Sequence, residues 1–326
     1  MDAQVQEHHY YGIDWLRSFA CVGIIMMHMI SKDNNAYELH GFVYERVIPS
    51  FTNFVFLFMV LSAFGMCCGY HKKVIEGNIN WSSFYKKRYK KILPFFAVLV
   101  LLDLAINFSK ESLFEAVADL TLLYGLFPNE ITVIGVGWFL GLIFAFYIMF
   151  PFFCVLMENR TRAWMTFIIS LVMNYILEHY WGLDRRNVIY SLCFFVIGGL
   201  IYLYKEDIAK INTLVCVCGS IIGIVIYYIV GGGVYTCMLV SAVLLISAIS
   251  VQGGQNKVIS FISGISMEIY LSHMMVFRVI EKVHLNTALG KGIMQYAFTV
   301  IVVLAATILF SYVMKTVLLL INKIGR

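Results

Sequence analysis

Apolar stretches close to the length of a membrane span recur along this chain. A helix needs about 20 mostly apolar residues to cross the hydrocarbon core of a bilayer. The stretches that approach this length are 12–30, 48–70, 92–108, 137–157, 163–178, 188–204, 211–230, 233–251, 258–280 and 293–314. The sequence therefore predicts an all-α fold, a polytopic membrane helix bundle of about ten transmembrane helices.

The composition favours a single membrane domain. Hydrophobic residues make up 61% of the chain and charged residues only 13%, whereas a soluble domain has about 25% charged residues. No polar stretch approaches the ~100 residues of an ordinary soluble domain, so we expect residues 1–326 to form one membrane domain. The first apolar stretch is longer than the core of a cleaved signal peptide, and we expect it to be retained. Segment 113–126 alternates acidic and apolar residues at helical spacing, which predicts an interfacial helix.

The distribution of lysine and arginine predicts the orientation. With the N-terminus in the cytoplasm, most of these residues fall in cytoplasmic loops, including the run YKKRYKK at 85–91. Because cytoplasmic loops carry an excess of Lys and Arg, we predict both termini in the cytoplasm. The net charge of +5 then belongs to the inner membrane surface, and we expect no nucleic-acid partner. The eight cysteines lack zinc-site spacing, so we expect core residues and no metal.

The first apolar stretch contains three ionisable residues, Asp14, Arg17 and His28. The separation of Arg17 and His28 is about three helical turns, so both side chains lie on one helix face about 16 Å apart. Asp14 shares this face and is placed to pair with Arg17. Ionisable groups inside a span usually face the bundle interior and indicate a functional site. The alternative is an arginine that extends to the membrane surface and an isolated histidine.

A late stretch places further polar groups on one face. Ser266, Tyr270 and His273 follow helical spacing, whereas Glu268 points roughly opposite and is expected to meet another helix. If His28 and His273 converge, one imidazole is placed to act as general base and the other as acid or hydrogen-bond donor. The alternative is an interhelical hydrogen-bond network without chemistry.

A basic pair precedes the third apolar stretch. Arg88 and Lys91 lie three residues apart, directly before Pro94, and form one positive helix face. Arginine binds phosphate by paired hydrogen bonds and lysine as a point charge, so this face fits the phosphates of an anionic donor. The alternative is that the basic run only fixes the topology and contacts anionic lipid.

Several stretches, in chain order, resemble motifs of the acyltransferase 3 family of membrane acyltransferases. Arg17 and His28 match its Arg, ten residues, His pattern. FLFMVLSAF is similar to FFVLSGF, FYKKRYKKILP to FYRRRLLRILP, and GISMEIYLSH to GxISYxLYLxH. WFLGLIFAFYIMFP is similar to the family's stretch from Trp-x-Leu through Phe-Tyr-x-x-Phe-Pro. The resemblance extends from about residue 12 to beyond His273.

The resemblance implies a function and residue roles. Such proteins move an acyl group, usually acetyl from acetyl-CoA, onto a hydroxyl of a sugar or glycolipid. His28 would be the catalytic base, and Arg17 would support donor binding. Arg88 and Lys91 would meet the phosphates of the coenzyme. We accordingly expect a bacterial plasma-membrane enzyme in which Ser266, Tyr270 or His273 donates a hydrogen bond to the oxyanion.

The chain departs from the family pattern in three ways. Lys91 replaces the second arginine of the basic pair, which removes its paired hydrogen bonds. The acidic residues of the WSLSVEEQFY variant are absent from 138–147, and no extracytoplasmic hydrolase-like domain is fused to the chain. Final transfer is therefore expected in the membrane domain or on a separate partner.

Two alternatives to an enzyme remain open from the sequence. In a transporter or exporter of a small polar solute or glycan intermediate, the same polar faces would line a translocation path. In a structural or assembly scaffold, His28 and His273 would lie far apart. The sequence leaves open the acceptor, the acyl group and the oligomeric state.

Overall fold

The computed structural model describes residues 9–126, 134–251 and 254–324. These residues form helices joined by turns and short loops, and none of them lies in a β-strand. The helices are α1 (Tyr11–Tyr37), α2 (Val43–Ile75), α3 (Trp81–Ile106), α4 (Lys110–Thr121), α5 (Trp138–Leu156), α6 (Arg160–Trp181), α7 (Val188–Leu203), α8 (Thr213–Val230), α9 (Val234–Ser250), α10 (Lys257–Gly264), α11 (Ser266–Lys282) and α12 (Ile293–Ile324). The predicted all-α class is confirmed.

Among the described helices, five are long and apolar enough to cross a membrane, namely α1, α2, α5, α8 and α12. The bent pair α10 and α11 makes a sixth if it is counted as one span, and α7 and α9 are apolar but shorter. Helices α3 and α6 are long but less apolar. The chain is therefore a membrane protein with five or six candidate spans, and the number of ten and the cytoplasmic termini stay predictions.

Helix α1 lies at the centre of the bundle, in contact with α2, α9, α10, α11 and α12. Its buried side chains include Ala20, Ile24 and Ile25, each at most 1% exposed. Gly12 permits the close approach to α9, because a Cβ atom there would lie 2.3 Å from the carbonyl oxygen of Ala248. The polar residues Asp14 and Ser18 of α1 are buried, and Arg17 and His28 line internal cavities.

The predicted stretch 258–280 is not one straight helix. Helices α10 and α11 meet at an angle of 69°, and Ile265 between them leaves the helical conformation at φ −118° and ψ 13°. Gly264 lowers the helix propensity at this point. The bend directs α10 towards the beginning of α1 and leaves α11 between α1, α12 and α3. The predicted polar face of Ser266, Tyr270 and His273 therefore lies wholly on α11, beyond the bend.

The predicted interfacial helix is present as α4, but it ends at Thr121 instead of continuing to residue 126. Ser109 and Ser112 form a capping box at its beginning. Leu122 adopts the left-handed conformation with φ 58°, which ends the helix. Phe114 and Val117 are 79% and 60% exposed, so no described part of the protein covers this apolar face, as expected for a helix at a membrane surface.

Candidate active site

The two predicted polar faces meet at a pair of histidines. The ring centroids of His28 and His273 lie 5.0 Å apart, although the residues belong to α1 and α11. The two imidazoles therefore converge, as the catalytic interpretation requires. A scaffold would instead have these histidines far apart, and they are not.

The hydrogen bonds of His273 fix its tautomer. Its side chain is fully buried, and Nδ1 lies 2.6 Å from the carbonyl oxygen of Tyr270. Because a carbonyl oxygen can only accept, Nδ1 carries the proton and donates, which leaves a lone pair on Nε2 of the neutral ring. This Nε2 atom is buried and has no hydrogen-bond partner among the described residues. It can therefore accept a proton or a hydrogen bond.

His28 lines a cavity of about 270 Å³, which we call the His28 cavity. Polar and aromatic groups from several helices share this space. They are Thr52, Asp103, Trp138, Arg185, Arg186, Tyr270 and Arg278. His28 thus faces an internal space large enough for a small polar group, and His273 supports it from behind.

A second cavity, of about 130 Å³, surrounds the guanidinium of Arg17 and is called the Arg17 cavity. Lys91, Tyr147 and Glu268 also line it. Arg17 makes no hydrogen bond or ion pair with any residue in the described ranges, and its Nη2 atom lies 3.5 Å from where a Cβ of Gly65 would be. Its N–H donors therefore face the cavity, where they can bind an anion or a carbonyl oxygen.

Asp14 does not form the predicted ion pair with Arg17. Its carboxylate accepts hydrogen bonds from the hydroxyls of Ser263 at 2.7 Å and Ser260 at 3.1 Å, and it contacts Nε2 of His9 at 2.8 Å. The serines belong to α10, which the bend brings beside α1. Asp14 therefore joins these two helices, and Arg17 keeps its donors for the cavity.

Tyr270 lines both cavities. Its ring centroid lies 5.4 Å from that of Phe139 and 6.4 Å from that of Phe58, and both phenylalanines line the Arg17 cavity. These three rings form the boundary between the cavities, which we call the aromatic partition. Within the described part of the chain, the phenol of Tyr270 has no hydrogen-bond partner, so it remains able to donate to a bound group.

The other polar residues of α11 belong to the Arg17 side. Ser266 lines the Arg17 cavity, and its hydroxyl donates to the carbonyl oxygen of Ser263 at 2.8 Å. It lies about 10 Å along α11 from His273. Glu268 also lines this cavity and meets α12, as predicted, through an ion pair with Lys315 at 2.9 Å.

The predicted basic pair is divided by the structure. Lys91 lines the Arg17 cavity, whereas Arg88 lines neither of the two cavities. The guanidinium of Arg88 lies over the rings of Tyr70, Phe84 and Tyr147, 4.9, 5.3 and 5.1 Å from their centroids. Such contacts stabilise a cation on aromatic faces. Because Tyr147 also lines the Arg17 cavity, Arg88 lies directly behind its wall.

Three arginines line the His28 cavity, and no sequence motif predicts them there. Arg185 donates to the hydroxyl of Thr52 at 3.0 Å and lies 5.6 Å from the ring centroid of Trp138. Arg278 forms an ion pair with Asp103 at 2.6 Å. Arg185 and Arg186 follow α6 in a loop, and no spacing in the sequence relates that loop to His28. Only the folded arrangement of helices identifies these arginines.

The site thus combines three chemical capacities. Arg17 and Lys91 can bind an anionic or carbonyl group, the phenol of Tyr270 can donate a hydrogen bond, and the imidazoles can accept a proton. No group of three or more His, Cys, Asp or Glu side chains within the described ranges is arranged to hold a metal ion. These capacities fit a transfer between two groups that approach the aromatic partition from opposite sides.

Comparison with known proteins gives one match. A family model described as an acyltransferase domain matches residues 10–315. No curated protein and no solved structure matches the chain. The matched range contains every residue that lines the two cavities.

Proposed function

Because this chain belongs to the acyltransferase 3 family, we propose that it is a membrane O-acyltransferase that uses acyl-CoA as donor. It transfers the acyl group, acetyl in the simplest case, to a hydroxyl of a cell-surface carbohydrate or glycolipid at the bacterial plasma membrane. The observation that carries the proposal is the meeting of two cavities at Tyr270, one lined by Arg17 and Lys91 and the other by His28, whose ring lies beside that of His273.

The Arg17 cavity takes the reactive end of the donor. A cavity of about 130 Å³ is smaller than the ~300–1,000 Å³ of pockets that enclose a drug-sized ligand. Only the thioester end of acyl-CoA enters, and its nucleotide and phosphates stay at the cavity mouth. Lys91 contributes a charge to these phosphates, whereas Arg17 binds the thioester carbonyl or a neighbouring polar group. This assignment places the Arg17 side towards the cytoplasm, where acyl-CoA is available, with both termini on that side.

The His28 cavity takes the acceptor. His28 removes the proton of the acceptor hydroxyl as its oxygen attacks the thioester carbon. Tyr270 donates a hydrogen bond to the oxyanion of the tetrahedral intermediate. Collapse of the intermediate breaks the C–S bond, and the protonated His28 returns its proton to the leaving thiolate. The reaction yields the acyl ester and free coenzyme A thiol.

His273 is a positioning residue in this scheme. Its Nδ1–H bond to the peptide oxygen of Tyr270 holds the ring in one orientation, with the lone pair of Nε2 available. With ring centroids 5.0 Å apart, a small movement brings Nε2 within reach of a proton on His28, since catalytic hydrogen bonds are often long in the unliganded state. His273 thereby stabilises the imidazolium form of His28.

A transporter remains the second candidate. A translocation path also needs cavities on both sides of a partition. The match to the acyltransferase family model over residues 10–315 favours acyl transfer over passage of a solute. A transporter would move its solute without consuming acyl-CoA.

The test is the variant His28→Ala in the purified, membrane-reconstituted protein. General base catalysis contributes about 10²- to 10⁴-fold, so we expect release of coenzyme A thiol in the presence of acceptor to fall about 100-fold or more. Acyl-CoA should still raise the thermal midpoint of the variant. His179→Ala, at an exposed position of α6 outside both cavities, is the matched control. Unchanged transfer in His28→Ala would reject the mechanism.

A further inference from the structure

The His28 cavity has a one-sided charge. Its described lining contains three guanidinium groups, from Arg185, Arg186 and Arg278, and one carboxylate, from Asp103. The carboxylate of Asp103 forms an ion pair with Arg278 at 2.6 Å. The pair of Arg278 and Asp103 is therefore close to neutral, and Arg185 and Arg186 are the other two cations of the lining.

Arg185 is the group that makes this charge significant. It is half-buried, and no carboxylate among the described residues pairs with it. One nitrogen, Nη1, donates to Thr52, and the guanidinium plane lies near the ring of Trp138. These contacts fix its position, and its charge has no counter-ion among the described residues. Removing a cation from water is costly unless an anion compensates for it.

Arg185 and His28 line the same small space. A cavity of about 270 Å³ is below the usual range for drug-sized ligands, so it admits one sugar ring with a substituent rather than an oligosaccharide. An anion bound by Arg185 and a hydroxyl beside His28 therefore belong to the same ring or to adjacent rings of one acceptor.

We propose that the acceptor is an anionic carbohydrate whose phosphate or carboxylate binds Arg185 while a nearby hydroxyl faces His28. Arginine is suited to this task because its planar fork forms paired hydrogen bonds with either oxyanion. The inference rests on the proposed function in one respect, the assignment of the His28 cavity to the acceptor. A neutral sugar would leave the charge of Arg185 uncompensated and binds more weakly.

The experiment measures binding without acyl-CoA. Methyl glucoside, glucose 1-phosphate and glucuronic acid are added at constant ionic strength to the detergent-purified full chain, and the thermal midpoint is followed against concentration. We expect saturable stabilisation by one or both charged probes and none by methyl glucoside. A response to glucose 1-phosphate alone identifies phosphate as the recognised group, and a response to glucuronic acid alone identifies carboxylate.

Variants assign this binding to Arg185. Arg185→Gln should weaken binding of the charged probe about 10-fold or more, the usual effect of a lost charge-assisted hydrogen bond, and Arg185→Lys should weaken it less. The control is Arg46→Gln, an exposed arginine outside both cavities, which should bind as the original protein does. The thermal midpoint of each variant, measured without probe, verifies that the variant is folded. If Arg185→Gln does not fold, Arg185→Lys still tests the inference.

Equal stabilisation by all three probes, or equal weakening by Arg46→Gln, overturns the inference. Its failure is distinguishable from failure of the proposed function. Acyl transfer to methyl glucoside that is insensitive to Arg185→Gln rejects the anionic acceptor and leaves the enzyme standing. Arg185-dependent anion binding without transfer from acyl-CoA to any probe supports the anion site and rejects the enzyme.

Discussion

At the scale of single residues, the account depends on Tyr270. This side chain lines both cavities and contacts the rings of Phe58 and Phe139. Among the described lining residues, Tyr270 is the one that both cavities share, and it carries a hydroxyl. Ser266 lies on the Arg17 side and already donates to Ser263, and Nδ1–H of His273 is engaged by a peptide oxygen. Of the three predicted oxyanion donors, Tyr270 is therefore the one we favour.

Tyr270→Phe tests this role without altering the size of the partition. Loss of one oxyanion donor typically lowers kcat by about 10²- to 10³-fold, and we expect a decrease of that order with little change in stabilisation by acyl-CoA. Tyr312→Phe, at an exposed position of α12, serves as control and should retain full activity. A Tyr270→Phe protein with normal kcat would remove the phenol from the mechanism.

At the scale of helices, the sequence predicts the faces but not their partners. The helical period places Arg17 and His28 on one face of α1, and Tyr270 and His273 on one face of α11. These two helix faces meet in the structure, as expected, with His28 beside His273. The bend at Ile265 was missed, because one glycine in an apolar stretch does not separate a kinked helix from a straight one. Arg185 was missed because its nearness to His28 depends on the packing of α6 and α7 against other helices.

The ion pair between Glu268 and Lys315 joins α11 to α12 and gives a stability prediction. Glu268 is 4% exposed, so Lys315→Ala leaves a buried carboxylate without its partner. We expect a loss of about 1.5–3 kcal/mol in the free energy of unfolding, the value of a hydrogen bond to a charged group. Because the double variant Glu268→Gln, Lys315→Ala removes the charge as well, it should recover most of that loss. Chemical denaturation in detergent measures both.

Similar stability of the single and double variants would contradict this interpretation. It would mean that Arg17 and Lys91, which line the same cavity as Glu268, already compensate for the carboxylate. Lys323→Ala in the last turn of α12 is the control for loss of a lysine from this helix.

At the scale of the whole molecule, the helices form two cavities that share one lining residue, Tyr270. Arg17 and His28 are about 16 Å apart along α1, and each lies in its own cavity. Under the proposed function, donor and acceptor occupy different cavities and react at the aromatic partition. The sequence predicts that Arg88 and Lys91 form one binding face, whereas in the structure Lys91 lines the Arg17 cavity and Arg88 lies behind its wall. Cavity shape depends on side-chain packing between helices, which helical periodicity does not specify.

The most direct test of this arrangement is a structure of the protein with a non-hydrolysable thioether analogue of acetyl-CoA. The account predicts the acetyl end in the Arg17 cavity beside Tyr270, with the phosphates at its mouth near Lys91 and the His28 cavity left for the acceptor. An analogue bound in the His28 cavity, or outside the bundle without contact to Arg17, would contradict it.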